Sequence, residues 1–366
     1  MDARFGPQAT ARLGRNSRQV IRRLALCVAL LTAYAAPAQA QLGEATPLAV
    51  AQSYTIASEA LGGERVITVR LPAGYEEEPE RRFPVVYLLD GGPEQDFIHI
   101  AGIAQSREMN YSFEPFILVG IQSVNRRHYF APPAADPAPY EEVLGAAPGG
   151  SADYRNFLRD ELKPLIAANF RTDGHTAVMG ESLAALFVVE TLLEEPTLFD
   201  DYIAISPSMW WEEMKYGREA ASYFAGHPAG ERRLYLTSAS EGDWHREGTE
   251  HLIAALRDHA PAGLQWTVVD AGESETHGTL LHPMALDAFR ALYPTPQREY
   301  KPYPLIGGPE PGERTAEEQA RLDTECTAEN SLPITPGAAS LGREALYYRC
   351  LLYELGPLPR EGNLGR

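Results

Sequence analysis

Apolar and polar positions along this chain follow two rhythms, and their order predicts the architecture. Ser53 to Ser58 and Val66 to Leu71 alternate apolar with polar residues on either side of Gly62-Gly63, the pattern of an antiparallel hairpin at a sheet edge. Phe83 to Asp90 (FPVVYLLD) and Phe116 to Ile121 are instead continuous apolar runs, as strands covered on both faces are, with a helix-length segment between them. Ala177 to Met179, Tyr202 to Ser206, Arg233 to Ala239 and Gln265 to Asp270 repeat the short-strand pattern. Helical segments are expected at Asp153 to Phe170, Leu183 to Val189, Glu212 to Phe224, Thr249 to Asp258 and Met284 to Leu292. Strands alternating with helices of this size predict an α/β fold: a doubly wound, mainly parallel sheet with an N-terminal antiparallel hairpin and right-handed crossovers.

The rhythm breaks from Gln122 to Tyr154, which is rich in proline, glycine and alanine with interspersed aromatics. This stretch leaves the carboxyl end of a parallel strand, the edge where ligands bind in such sheets, so it is expected at the rim of a substrate site. Arg126 and Arg127 within it can offer guanidinium groups to an oxygen-rich substrate, or serve equally as surface charges. Trp210 and Trp211 read first as packing residues at the pocket wall, with Trp210 also a candidate substrate contact.

Both ends depart from the globular pattern. Six arginines, the short apolar run Leu24 to Tyr34 and Ala38-Gln39-Ala40 make residues 1–40 a secretory signal peptide. The expected organisation is therefore a signal peptide over 1–40, a catalytic domain over 41–293, and a C-terminal linker and helical tail over 294–366, in a periplasmic or secreted protein. Within the tail, Thr315 to Ala328 and Leu341 to Leu355 read as helical, and Cys326 and Cys350 are the two cysteines left after cleavage. In an oxidising compartment they predict one disulfide, worth roughly 3 kcal/mol by loop closure.

The charge balance narrows the partners. The whole chain carries a formal charge of −18, and removing residues 1–40 shifts it to −23. That sign disfavours nucleic acid and anionic membrane surfaces as partners and mainly promotes solubility; the expected small-molecule partner follows from the site chemistry instead. After the signal segment no apolar run is long enough to span a bilayer.

The candidate chemistry centres on HTAVMGESLAALFVVETLLEEPTLFDDYIAISPSMWW, residues 175–211. Gly180 and Ala184 leave room for a tight strand-to-helix turn that would hold Ser182 in strained geometry, its hydroxyl exposed above the sheet. A serine hydroxyl needs a base, and His277 follows the last strand in a loop that returns to the same sheet edge. His282 is its rival, whereas His245, His251 and His259 fall on or near a polar helix and are expected to be exposed. The orienting acid should follow the strand ending at Ala239, which offers Glu241, nearer the strand end, or Asp243. Oxyanion donors are expected from the backbone N–H of Leu183 and from Gly91 or Gly92. Asp90 and Glu181 are carboxylates near this site that cannot donate while ionised. No HExxH, clustered cysteines or phosphate-cradling glycine loop occurs, so no metal and no organic cofactor is expected.

FPVVYLLDGG, the segment DELKPLIAANFRTDGHTAVMGESLAALFVVETLLEEPTLFDDYIAISPSMWW and the loop ESETHGTLLHP together resemble the Putative esterase family of α/β-hydrolases. That family includes esterases that cut trilactone siderophores such as enterobactin and salmochelin. It is more distantly similar to S-formylglutathione hydrolase, feruloyl esterases and mycolyltransferases. The resemblance covers roughly residues 50 to 293. It implies the α/β-hydrolase fold, Ser182 as nucleophile, His277 as base, and Arg126 or Arg127 in an arginine-bearing substrate segment. Glu181 and Ala184 depart from the family's elbow, and some siderophore esterases work with a Ser-His dyad, so the acid carries over least firmly. The expected activity is hydrolysis of carboxylic esters by a secreted serine esterase, with siderophore lactones as one candidate substrate class. Its alternatives are acyl transfer or thioester cleavage at the same site, or a binding protein on a hydrolase scaffold.

Overall fold

The structure, a computed structural model, describes residues 42–110, 112–239, 241–294 and 360–364. The chain divides into two compact units, Met1–Ala49 and Val50–Arg366. The described part of the first, 42–49, has no regular secondary structure. The expected signal peptide, Cys326, Cys350 and the two expected tail helices lie outside the described residues.

Among the described residues of the second unit, nine strands form one sheet: β1 (Gln52–Ser58), β2 (Gly63–Arg70), β3 (Phe83–Leu88), β4 (Ile117–Ile121), β5 (Thr172–Glu181), β6 (Asp201–Ile205), β7 (Arg232–Ser238), β8 (Leu264–Asp270) and β9 (Arg360–Gly362). Their order is β1-β2-β4-β3-β5-β6-β7-β8-β9. β1 and β2 form the expected hairpin and join β4 antiparallel, and the six strands from β4 to β8 run parallel. This is the α/β-hydrolase fold. The helices are α1 (Phe97–Asn110), α2 (Arg126–Tyr129), α3 (Ala138–Leu144), α4 (Ser151–Asn156), α5 (Lys163–Asn169), α6 (Leu183–Glu194), α7 (Trp211–Arg218), α8 (Ala220–Ala225), α9 (Asp243–His259) and α10 (Leu281–Leu292).

Continuous apolar strands bury residues on both sheet faces, and β3 shows why the composition demands it. Val85, Tyr87 and Leu89 point into one core, which α6 fills, while Val86 and Leu88 enter the other, closed by α1 and α10. Leu183 to Leu193 of α6 are all buried. A helix apolar all round is stable only when it is enclosed in this way. The one acid inside it, Glu190, is met by Ser151 Oγ at 2.7 Å and by Arg155 at 2.9 Å.

The segment read as linker and tail contributes an unexpected strand. β9 pairs antiparallel with β8, Arg257 of α9 forms an ion pair with Glu361, and the Asn363 side chain accepts a hydrogen bond from the Trp266 N–H at 2.6 Å. The rim stretch after β4 is anchored rather than loose: Phe130 is buried against Tyr154 and Phe187.

Candidate active site

Four non-glycine residues with positive φ follow four successive strands: Asp90 (52°) after β3, Asn125 (55°) after β4, Ser182 (60°) after β5 and Ser206 (50°) after β6. Backbone strain of this kind costs of order 1–3 kcal/mol each and gathers where function constrains the chain. Here it gathers along the carboxyl edge of the sheet, around Ser182.

The turn at Ser182 is built by what its neighbours lack. A Cβ on Gly180 would lie 2.7–2.8 Å from the backbone and methyl group of Ala184. Ala184 therefore fits only because residue 180 is glycine, which is how the turn survives without the usual second glycine. The turn is pinned to the end of β6, with Ser182 N–H donating to the Ile205 carbonyl at 3.0 Å and Ser208 N–H donating to the Ser182 carbonyl at 3.1 Å.

The loop after β8 brings His277 to this turn. Its Nε2 lies 2.9 Å from Ser182 Oγ, and its Nδ1 lies 3.3 Å from Glu241 Oε1. Ser206 joins the same row: its hydroxyl donates to Glu241 Oε1 and its oxygen lies 2.6 Å from His277 Nδ1. Ser208 Oγ approaches Ser182 Oγ at 3.4 Å from the other side. Chemically, the row can move a proton from Ser182 to His277 and hold the resulting imidazolium against a carboxylate.

The sequence profile of the family described as Putative esterase matches residues 58–299. The chain belongs to the Putative esterase family. It is 31% identical over 150 residues to the ferri-bacillibactin esterase BesA of Bacillus subtilis, covering 37% of this chain and 51% of that protein. It is 31% identical over 102 residues to the siderophore enterobactin esterase of Emericella nidulans, covering 27% of this chain and 32% of that one. The chain thus spans about half or less of the length of these curated relatives. Among solved structures, an IroE-like serine hydrolase from Shewanella oneidensis superimposes with a TM-score of 0.59 at 25% identity, covering 66% of this chain and 80% of that one. A Bacillus cereus BES protein shares the fold with a TM-score of 0.58 at 21% identity, over 69% and 98%.

Within this family member, electrostatics favour the row. The hydrogen bond to Glu241 raises the His277 pKa above its ordinary value against the opposing effect of burial. Burial pushes the Glu241 carboxyl up, but the bonds from His277 and Ser206 outweigh it and leave the net shift downward. Glu181, beside Ser182, is pushed up to about 7 by burial and the neighbouring Asp96 and Asp90, so it is partly protonated near neutrality.

Of the two acids left open by sequence, Glu241 meets His277; Asp243 opens α9, and its side chain lies outside the described set. His282 is exposed and packs edge-on against His99, with ring centroids 4.6 Å apart. Leu183 opens α6, so its N–H is one of the four no helical carbonyl can take. Gly91 is a correction: its N–H donates to the Ile121 carbonyl at 2.9 Å, so it has no proton for an oxyanion. Its missing side chain serves packing instead, since a Cβ there would meet Gly120 Cα and the Leu88 carbonyl at 2.5 Å. Gly92 N–H donates to the Gln95 side chain at 3.0 Å, an acceptor that a bound oxyanion can displace.

Arg126 forms an ion pair with Asp90 at 2.9 Å, close enough for its charge to act on Glu181 and His277. Arg127 donates to the Leu144 carbonyl at the end of α3 and is exposed on the rim. Trp210 is half-buried between Tyr140, Trp211 and His245.

Two neighbours of the row escaped the sequence. Ser206 was read only as the last strand residue, although a serine just past a parallel strand and before Pro207 lies where side chains reach a site. His245, expected to be exposed, instead packs against His277 with ring centroids 5.2 Å apart. The reason is that α9 begins at Asp243, six residues before the expected start, and its first turn carries His245 over the site. Glu241, His245 and His277 are also a group whose ligand atoms could meet on a metal ion.

Proposed function

We propose that this chain is a secreted serine esterase that hydrolyses carboxylic esters, with siderophore lactones as its substrate class, through an acyl-enzyme on Ser182. The observation that carries the reading is the 2.9 Å approach of His277 Nε2 to Ser182 Oγ on a strained turn. Ser182 Oγ attacks the ester carbonyl while His277 Nε2 takes its proton. Glu241, directly and through the Ser206 hydroxyl, stabilises the imidazolium. The Leu183 N–H and the Gly92 N–H, the latter released from Gln95, face the developing oxyanion. His277 then protonates the leaving alcohol as its C–O bond breaks. Water, deprotonated by the same imidazole, hydrolyses the acyl-enzyme and restores the serine.

The names of the relatives support the substrate class: BesA is a ferri-bacillibactin esterase and the Emericella protein an enterobactin esterase. Arg126, held by Asp90, and Trp210 are the side chains proposed to meet such a ligand at the rim. The basic, apolar and A-x-A pattern of residues 1–40 supports export to the periplasm or beyond, where a Cys326–Cys350 disulfide can form. The test is hydrolysis of p-nitrophenyl acetate and of an ester panel including a ferric trilactone siderophore. Ser182→Ala should lower turnover at least about a thousandfold while the fold is retained. Unchanged turnover sinks the serine mechanism, and a panel in which the trilactone is ignored sinks the substrate class.

A further inference from the structure

We propose that Glu241, His245 and His277 form a binding site for a divalent transition-metal ion of the zinc class, and that the bound ion switches the enzyme off. The inhibition rests on the serine esterase reading above; the binding does not. One ligand atom from each of the three side chains lies within 4.8 Å of the others. His277 Nδ1 and Glu241 Oε1 are already 3.3 Å apart, the separation of two ligands on one ion. Two zinc–ligand bonds of about 2.0–2.1 Å at a tetrahedral angle span roughly 3.3–3.4 Å.

His245 supplies the independent observation. Its Nδ1 is buried and has no hydrogen-bond partner among the described residues, while its ring packs against those of His277 and Trp210. A buried imidazole nitrogen left bare is costly, and an ion is one of the partners that resolves such a group. It lies on the first turn of α9, so a small rotation of one side chain closes the triangle without moving the sheet. Ser206 Oγ gives up its bonds to Glu241 and His277 Nδ1 to admit the ion, and either its hydroxyl or water fills the fourth position. Two imidazoles and one carboxylate suit zinc and its neighbours rather than magnesium or calcium, which prefer all-oxygen shells.

The off-switch follows from the chemistry of imidazole. Neutral imidazole has one lone-pair nitrogen and one N–H. A metal ion on Nδ1 takes that lone pair, so the single proton resides on Nε2. Nε2 is the atom facing Ser182 Oγ, and once it carries a proton it cannot accept another from the serine. No proton or electron is gained or lost by the ring; the tautomer alone is fixed.

The experiment titrates zinc chloride into the full chain carrying Ser182→Ala, followed by calorimetry, with His245→Phe and His245→Asn each added to that background. In parallel, p-nitrophenyl acetate hydrolysis by the chain with and without each His245 substitution is followed against zinc, then against EDTA. The expected result is one ion per chain, with affinity weakened roughly tenfold or more by both substitutions, since even outer partners of a metal site cost that much. Zinc should abolish hydrolysis, EDTA should restore it, and both His245 variants, each measured against its own zinc-free rate, should tolerate about tenfold more zinc than the parent. Absence of binding, or binding that both variants retain at parental affinity, overturns the site. His245-dependent binding in a chain that hydrolyses no ester leaves the metal site standing and overturns the serine esterase reading instead.

Discussion

Glu241→Gln separates a working triad from a Ser-His dyad. The Glu241 side chain is 2% exposed and lies 3.3 Å from His277 Nδ1, so little water can replace it as a partner for the imidazolium. At an effective dielectric of about 20, opposite charges at that distance attract by about 5 kcal/mol. The imidazole is 40% exposed, and screening on that side reduces the figure to about 3–4 kcal/mol. The charge effect alone is then a factor of roughly 10²–10³ in kcat. A glutamine amide that donates toward Nδ1 would also force the proton onto Nε2, adding to the loss. The pH profile supplies a second readout. His277 must be neutral to act as a base, and its bond to Glu241 raises its pKa above the ordinary 6.5, so activity should rise with pH through a midpoint above that value. In Glu241→Gln that midpoint should move down. Steady-state kinetics on p-nitrophenyl acetate across pH, with melting curves to confirm the fold, would measure both. A kcat within fivefold of the parent and an unmoved midpoint would refute the role of Glu241.

Gly180→Ala places a methyl group 2.7 Å from the Ala184 backbone, and should cost about 1–3 kcal/mol in urea denaturation together with most of the esterase activity. Arg155→Met leaves the fully buried Glu190 without its cation; it should destabilise by roughly 3 kcal/mol, and adding Glu190→Leu should recover much of that loss. His175, 2.7 Å from Asp201, has its pKa raised by that bond against burial and the Arg233 charge. Its contribution is therefore complete below about pH 6.5 and is lost as pH climbs through the raised value. The gap in Tm between the parent and His175→Asn should be wide near about pH 6 and narrow near about pH 9.

The parallel sheet was legible because its strands bury both faces, which writes them as unbroken apolar runs such as FPVVYLLD. The elbow was legible for a related reason: Gly180, Ser182 and the enclosed helix α6 are contiguous in sequence. What escaped depends on contacts between distant segments. The Gly91 N–H is taken by Ile121, thirty residues on, and no local pattern reports this. Ser206 enters the row only because β6 lies between the strands that bring Ser182 and Glu241. His245 was misplaced because α9 starts behind Gly242 in a polar stretch with little apolar periodicity to mark its first turn. β9 is three residues long, too short to register as a pattern, and exists through its pairing with β8.

The central claim is that Ser182 is an activated nucleophile, and covalent labelling tests it most directly. A fluorophosphonate probe reacts with a serine only when a base is positioned to take its proton. Mass spectrometry of the labelled chain should find one adduct, on Ser182, absent from Ser182→Ala and strongly slowed in His277→Ala. An intact chain that takes up no probe, or that takes it up on another residue at the same rate after Ser182→Ala, would contradict the account.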